Sequence, residues 1–381
     1  MSATTDLKIG TRRWTDAIFR ERPRASGALT VGVLPGEGVG PDVIAAALAV
    51  LSAVESVSDA RFEARTGGAI GRSAEASSGR ALTEDVCGFC DDVFGRGGAI
   101  LAGPGGGRFV YDLRRRFDLF CKISPLRPIA ALMDAGRMKA QSVAGADILL
   151  VRENVGGVYQ GEWRETADER EGRLCEHSFR YSERQVRRIL GVAARLAAGR
   201  RGGLSVVIKD SGVPGMSALW RDLGREEAAS AGVEVGFVDV DLAAYRLMQE
   251  PLTFDVIAAP NLFGDVLADL GAVLLSSRGV SFSGNFSDAG AAVYQTNHGS
   301  AFDLAGQGSA NPLGQVASLT MMLRESFGLA REAGWIDAAV EEVMRHGFRT
   351  FDVAEPGTTV VGTAEMGERI AAAVRKQARP E

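Results

Sequence analysis

The segment NLFGDVLADLGAVLL, residues 261–275, follows the apolar run FDVIAAP and carries Asp265 and Asp269 four positions apart. On a helix such positions project one above the other. Carboxylates placed this way can hold a hard cation, accept protons, or simply face water. A second spacing with chemical potential is CGFC, with Cys87 and Cys90. A CxxC serves redox chemistry or zinc. Zinc would need two more ligands, and the chain has neither a second CxxC nor a nearby histidine pair. Both thiols are therefore expected on the buried face of a helix that feeds the strand GAILAGP, reduced as in the cytoplasm.

A chain of 381 residues is long for one core, so two domains are expected. A net charge of −5 gives no reason to expect nucleic acid as a partner. No run of 18 apolar residues occurs, so no membrane span is expected. The start, MSATTDLKIGTRRWTDAIFRERPRASGA, lacks an apolar leader core and mixes acids with its arginines, which reads as a solvated arm over residues 1–27.

Short apolar runs alternate with helical patterns, the mark of an α/β protein. ALTVGVLPG reads as strand and turn, and PDVIAAALAVLSAV as a helix opened by Pro41. ADILLVREN, LSVVIKD and VEVGFVDV read as strands, and ERQVRRILGVAARLAA as an amphipathic helix. Residues 277–312, rich in glycine and serine, read as one long functional loop. LPGEGVGPDV spaces its glycines as GxGxG, one residue short of the dinucleotide fingerprint, and no acidic residue closes a second strand as that fold requires. A Rossmann site is therefore rejected.

Five motifs occur in order: LPGEGVGPDV, LRRRFDLF with PLRP, VRENVGGVYQGE, NLFGDVLADL, and NHGSAFDLAGQGSANP. Together they resemble the isocitrate/isopropylmalate dehydrogenase family of β-decarboxylating dehydrogenases, over roughly residues 30 to 375. The resemblance implies that family's α/β fold, a large mixed sheet in two interleaved domains. Residues 28–122 plus 276–381 would form the cofactor domain, and 123–275 the substrate, metal and dimerisation domain.

The resemblance also implies roles. Asp265 and Asp269, with Asp241 from a partner subunit, match the family's ligands for Mg²⁺ or Mn²⁺, hard ions that prefer oxygen. Arg114, Arg127 and Arg152 match the arginines that grip a hydroxy diacid or triacid. Arg115 and Arg116 are expected to be structural or solvated. Lys209, lent across a homodimer, matches the general base, and Tyr159 the proton donor. Arg108 and Val110 fall where the family reads the substituent on C3 of the substrate. His298, Gly299, Ser300, Asp303 and Asn311 fall in the loop that wraps adenosine. Asp303 would repel a 2′-phosphate, which favours NAD.

The implied reaction is NAD- and metal-dependent oxidative decarboxylation of a 3-substituted malate. Tartrate or D-malate oxidation, or a non-catalytic regulatory homologue, are the alternatives. Four departures from the family pattern stand out. FCKISPLRP holds two additional residues before Arg127, KDSG follows the lysine strand where Lys-Ala-Asn is usual, Phe302 replaces a proline, and Gln295 replaces a glutamate.

Overall fold

Apolar segments that are buried on both faces have to lie inside a sheet covered by helices on each side. ILLVRE and AILA are such segments: every one of their residues is buried. A computed structural model places them at the centre of the fold and describes residues 13–21 and 27–378. Its strands are β1 (Leu29–Leu34), β2 (Phe62–Thr66), β3 (Ala99–Ala102), β4 (Cys121–Leu126), β5 (Ile148–Glu153), β6 (Glu162–Asp168) and β7 (Gly172–Ser178). They continue with β8 (Gly203–Ile208), β9 (Glu234–Asp239), β10 (Val256–Ala259), β11 (Phe282–Phe286), β12 (Ala292–Thr296), β13 (Phe348–Arg349) and β14 (Thr359–Val360). The helices are α1 (Gly40–Val57), α2 (Gly71–Ser78), α3 (Glu84–Gly95), α4 (Phe109–Arg116), α5 (Ala140–Val143) and α6 (Glu183–Ala198). After these come α7 (Pro214–Ala231), α8 (Val240–Gln249), α9 (Asn261–Gly271), α10 (Leu313–Glu325), α11 (Ala330–Arg345) and α12 (Thr363–Gln377).

Ten strands make one mixed sheet in the order β2-β1-β3-β12-β11-β4-β5-β10-β8-β9. The pairings from β12 through β11 and β4 to β5 are antiparallel, and those on both wings are parallel. One wing is built from the beginning and the end of the chain, the other from its middle, and β4 is the seam. This is the mixed α/β sheet expected from the sequence, and it is not a Rossmann sheet. Pro41 opens α1 as read, Pro214 likewise opens α7, and Ser182 with Gln185 forms a capping box on α6 that the sequence reading did not name. Cys87 and Cys90 lie buried on α3, unpaired.

Two readings of the sequence change, and one helix stands out. The stretch 277–312 is not one loop, because β11 and β12 within it join the sheet and only the segment after Thr296 remains irregular before α10. By length and composition α1 can cross a membrane, yet half of it is buried in the fold, where Gly367 of α12 packs against Ala46. The described part of the amino-terminal arm is docked, not solvated. Thr15 is fully buried, its N–H donates to Glu325 Oε2 at 3.2 Å, and its hydroxyl donates to the Glu325 carbonyl at 2.8 Å. The rest of the arm lies outside the described residues.

Docking the arm buries Glu325, whose carboxyl is pushed up from 4.5 to about 7 by burial, against the pull of the Thr15 and Trp14 N–H groups. A carboxyl raised on folding contributes most below its unfolded value, and that contribution is lost as pH rises through the folded one. Stability should therefore fall across the window from about 4.5 to about 7. Glu325→Gln removes this titration. The stability of the variant relative to wild type should rise between pH 5 and pH 8 by up to about 3 kcal/mol, read from urea unfolding at each pH. A pH-independent difference would show that Glu325 ionises freely in the fold.

Candidate active site

The pairing of β4 with β5 is regular from Cys121↔Glu153 to Leu126↔Ile148, and it sets Lys122 directly opposite Arg152. Arg152 is 2% exposed. Its Nη1 donates to Asp265 Oδ1 at 2.5 Å, and its Nη2 and Nε donate to Asn261 Oδ1 at 2.6 and 3.1 Å. Asn261, the first residue of α9, is fixed in turn by Nδ2 donating to the Gly156 carbonyl and by its own N–H donating to Tyr181 Oη. One helical turn contributes two contacts because Gly264 between them has no side chain: a Cβ there would meet Arg152 Cγ at 2.8 Å.

Tyr159 follows β5 in a short 3₁₀ turn and donates its hydroxyl to Asp265 Oδ2 at 2.8 Å. Burial and the Asp265 charge push its phenol above the ordinary range, so it is protonated at neutral pH. Burial pushes Asp265 upward, but Arg152, Lys122, the Tyr159 hydroxyl and Arg114 together carry it below the usual carboxylate range. Asp269, one turn along α9, is half exposed and pairs with Arg278 at 2.9 Å.

Two further cations stand in this group. Arg114, on α4, is 5% exposed and is pulled down to about 9 by burial and by Arg152, which leaves it charged at neutrality. Lys122 is equally buried, and burial, then Arg114 and Arg152, draw its ammonium well below the ordinary lysine range. Arg127 is not brought here. It lies exposed beyond the end of β4. Five residues of extended chain separate it from Lys122, roughly 17 Å. The two additional residues run on as regular strand, without a bulge to reset the register.

Arg108 donates to the Tyr159 carbonyl at 3.4 Å, lies 3.6 Å from Asp112, and packs against the rings of Tyr111 and Trp163. Val110 packs among the apolar residues around Phe109 and Leu113. Arg115 bonds Gln160 and Arg116 bonds Asp91.

Lys209 and Asp241 stand apart from this cluster. Lys209 Nζ pairs with Asp241 Oδ1 at 2.7 Å and lies 3.6 Å from Asp239, and among the described residues neither makes a hydrogen bond or ion pair with Asp265, Asp269 or Tyr159. The Asp241 hydrogen bond holds the ammonium above its ordinary range, the opposite of what a base needs. Beside Lys209, between Tyr181, Trp220 and Phe263, is an apolar cavity of 260 Å³, separate from the cations.

Asp265 and Asp269 offer hard oxygen donors suited to Mg²⁺ or Mn²⁺. Among the described residues no group of three candidate ligands converges. The cofactor-loop residues also separate. Ser300 is buried and donates to Glu37 Oε1 at 3.3 Å. Asp303 is exposed. Burial lowers the His298 pKa, which favours a neutral ring beside the exposed Gly299. Asn311 already spends Nδ2 on Asp352 and Oδ1 on the Leu313 N–H.

Glu37 and Lys122 were not singled out in the sequence. Glu37, 4% exposed, accepts from Gly106 N at 2.6 Å and from Ser73 N at 3.1 Å as well as from Ser300, and so ties two loops to the first turn of α2. Its neighbour Gly38, at φ +63°, could carry no side chain, since a Cβ would fall 1.9 Å from the Ser300 carbonyl oxygen. An acid between two glycines was the available signal for Glu37. Lys122 had none beyond its position in an apolar strand.

Comparison with known proteins identifies the family. Residues 30–370 match the family model described as isocitrate/isopropylmalate dehydrogenase. The 3-isopropylmalate dehydrogenase of Geobacter sulfurreducens is 37% identical, covering 90% of this chain and 98% of the relative. That of Desulfitobacterium hafniense is 36% identical, covering 90% and 99%. The crystal structure of isocitrate dehydrogenase from Methylococcus capsulatus superposes with a TM-score of 0.80 at 27% identity, covering 91% of this chain and 99% of that one. The chain is thus a dehydrogenase that belongs to the isocitrate/isopropylmalate dehydrogenase family.

Proposed function

We propose that the chain oxidises and decarboxylates a 3-substituted malate, using NAD and Mg²⁺ or Mn²⁺, as a homodimer whose active sites are shared. The observation that carries this reading is the buried cluster of Arg114, Lys122 and Arg152 around the Asp265–Tyr159 pair. Such a surplus of positive charge suits an acid with more than one carboxylate. Asp265, Asp269 and the partner subunit's Asp241 would hold the divalent ion, which supplies Lewis acidity toward the substrate's hydroxyl and carbonyl oxygens. NAD supplies the hydride acceptor, and exposed Asp303 favours it over a 2′-phosphorylated form.

The chain's own residues divide the remaining work. Arg114 and Arg152 fix carboxylates. Tyr159, kept protonated, delivers a proton to C3 after carbon dioxide departs. The partner subunit's Lys209 accepts the hydroxyl proton, and it can do so only once Asp241 no longer holds its ammonium, because that pairing keeps it protonated. Arg108, beside Tyr159, offers a charge to an anionic substituent on C3. The same reading divides the chain into residues 28–122 plus 276–381 and residues 123–275, with the seam inside β4. It places the chain in the cytoplasm, where its free cysteines stay reduced.

NADH formation with Mn²⁺ should be seen with one of isocitrate, homoisocitrate, 3-isopropylmalate, D-malate or tartrate, and fastest with a 3-substituted malate. Detectable NAD binding with turnover of none would favour a regulatory role. Lys209→Ala should abolish turnover and spare NAD binding. Mixing inactive Lys209→Ala and Asp265→Asn chains should restore about a quarter of the activity if each site draws on two subunits. No recovery after verified subunit exchange would place Lys209 and Asp265 in one chain's site.

A further inference from the structure

Lys122 is a buried lysine on β4. Its side chain makes no hydrogen bond or ion pair among the described residues, and it is 5% exposed. A lysine kept for structure carries a carbonyl or carboxylate at its head when buried. Here the nearest charges are Arg114 and Arg152, both of the same sign, and Asp265 and Asp269. Both aspartates are already engaged, Asp265 by Arg152 and Tyr159, and Asp269 by Arg278. Like charges facing each other across two strands destabilise a sheet, and Lys122 faces Arg152 in register. Arg114 shares the predicament, being buried without a carboxylate of its own. The group is unbalanced until an anion arrives.

We propose that Lys122, rather than Arg127, is the third cation that receives the substrate's carboxylates and makes the site selective for hydroxy acids bearing at least two oxyanions. This rests on the reading of the site given above. Arg127 matches a motif, but regular pairing along β4 carries it to the far end of the strand. Lys122 lies on the same strand, opposite Arg152, at the end where Arg114, Tyr159 and Asp265 meet. An ammonium is a compact charge with three donors, so it can serve one oxyanion while the two guanidiniums serve another. The substitution therefore keeps the charge of an arginine but presents it from a different point along the strand.

The test compares Lys122→Met, which retains the stem and removes the charge, with Arg127→Met. Calorimetry with Mn²⁺ measures the affinity of each chain for 3-isopropylmalate and for isocitrate, and needs no turnover. Lys122→Met should weaken binding of the better ligand by roughly 30-fold or more, raise KM with a smaller change in kcat, and leave NAD affinity unchanged. Its melting temperature without ligand should equal or exceed that of wild type, since an uncompensated charge has been removed. Lys122→Ala should regain binding on addition of ethylammonium, and Arg127→Met should behave as wild type. Loss of binding in Arg127→Met with none in Lys122→Met would overturn the proposal. So would a Lys122→Met chain that loses melting temperature and NAD affinity together with acid binding. Wild-type binding without turnover would defeat the proposed reaction and leave the comparison of variants intact. Absence of any diacid binding by wild type would defeat both.

Discussion

The buried guanidinium of Arg152 organises everything around it. It spans from the end of β5 to the first turn of α9 and touches Asn261 and Asp265 at once. Removing a partner would leave the buried Arg152 charge without compensation, which is destabilising even though Asp265 is partly exposed. The contact therefore fixes where α9 begins, and hence where Asp269 falls one turn later. It also fixes Asp265, whose second oxygen holds the Tyr159 hydroxyl. Gly264 is the steric condition for all of this, since any side chain there would push Arg152 off the helix.

Around that contact the charges do not cancel. Arg114 and Lys122 are buried without carboxylates of their own among the described residues, an arrangement that costs stability in the absence of ligand. Proteins retain such costs at sites where a bound group repays them. The opposite pattern holds for Lys209 and Asp241, which neutralise each other on an exposed face. One half of the chemistry is thus assembled and short of an anion. The other half is satisfied by itself and makes no hydrogen bond or ion pair to the first among the described residues, which fits the proposal that two chains complete each site.

Much of this was legible in the sequence, for reasons that can be named. Asp265 and Asp269 stood out because two carboxylates at helical spacing are costly in an apolar run. β1, β3, β5 and β8 were readable as short, largely apolar segments, the signature of a sheet covered on both faces, whereas β2, mostly polar and exposed, was not. β11 and β12 were not, because SGNF and AVYQT lie among glycines and serines and owe their strand conformation to neighbours in the sheet. β6 and β7 were missed because every residue in them is exposed, so no alternation of apolar and polar positions marks them. Arg127 lies away from the cluster because a motif gives residue types and not the length of the strand that carries them. Lys122 was passed over because lysine is normally a surface residue, and only the register of β4 against β5 shows that this one is not.

The most direct measurement is a crystal structure of the protein grown with Mn²⁺ and a hydroxy diacid, with the metal located by anomalous scattering. The account predicts the ion on Asp265 and Asp269 with the partner subunit's Asp241, and the acid's carboxylates on Arg114, Lys122 and Arg152. An ion elsewhere, or an acid bound with Lys122 and Arg114 still unpartnered, would contradict it.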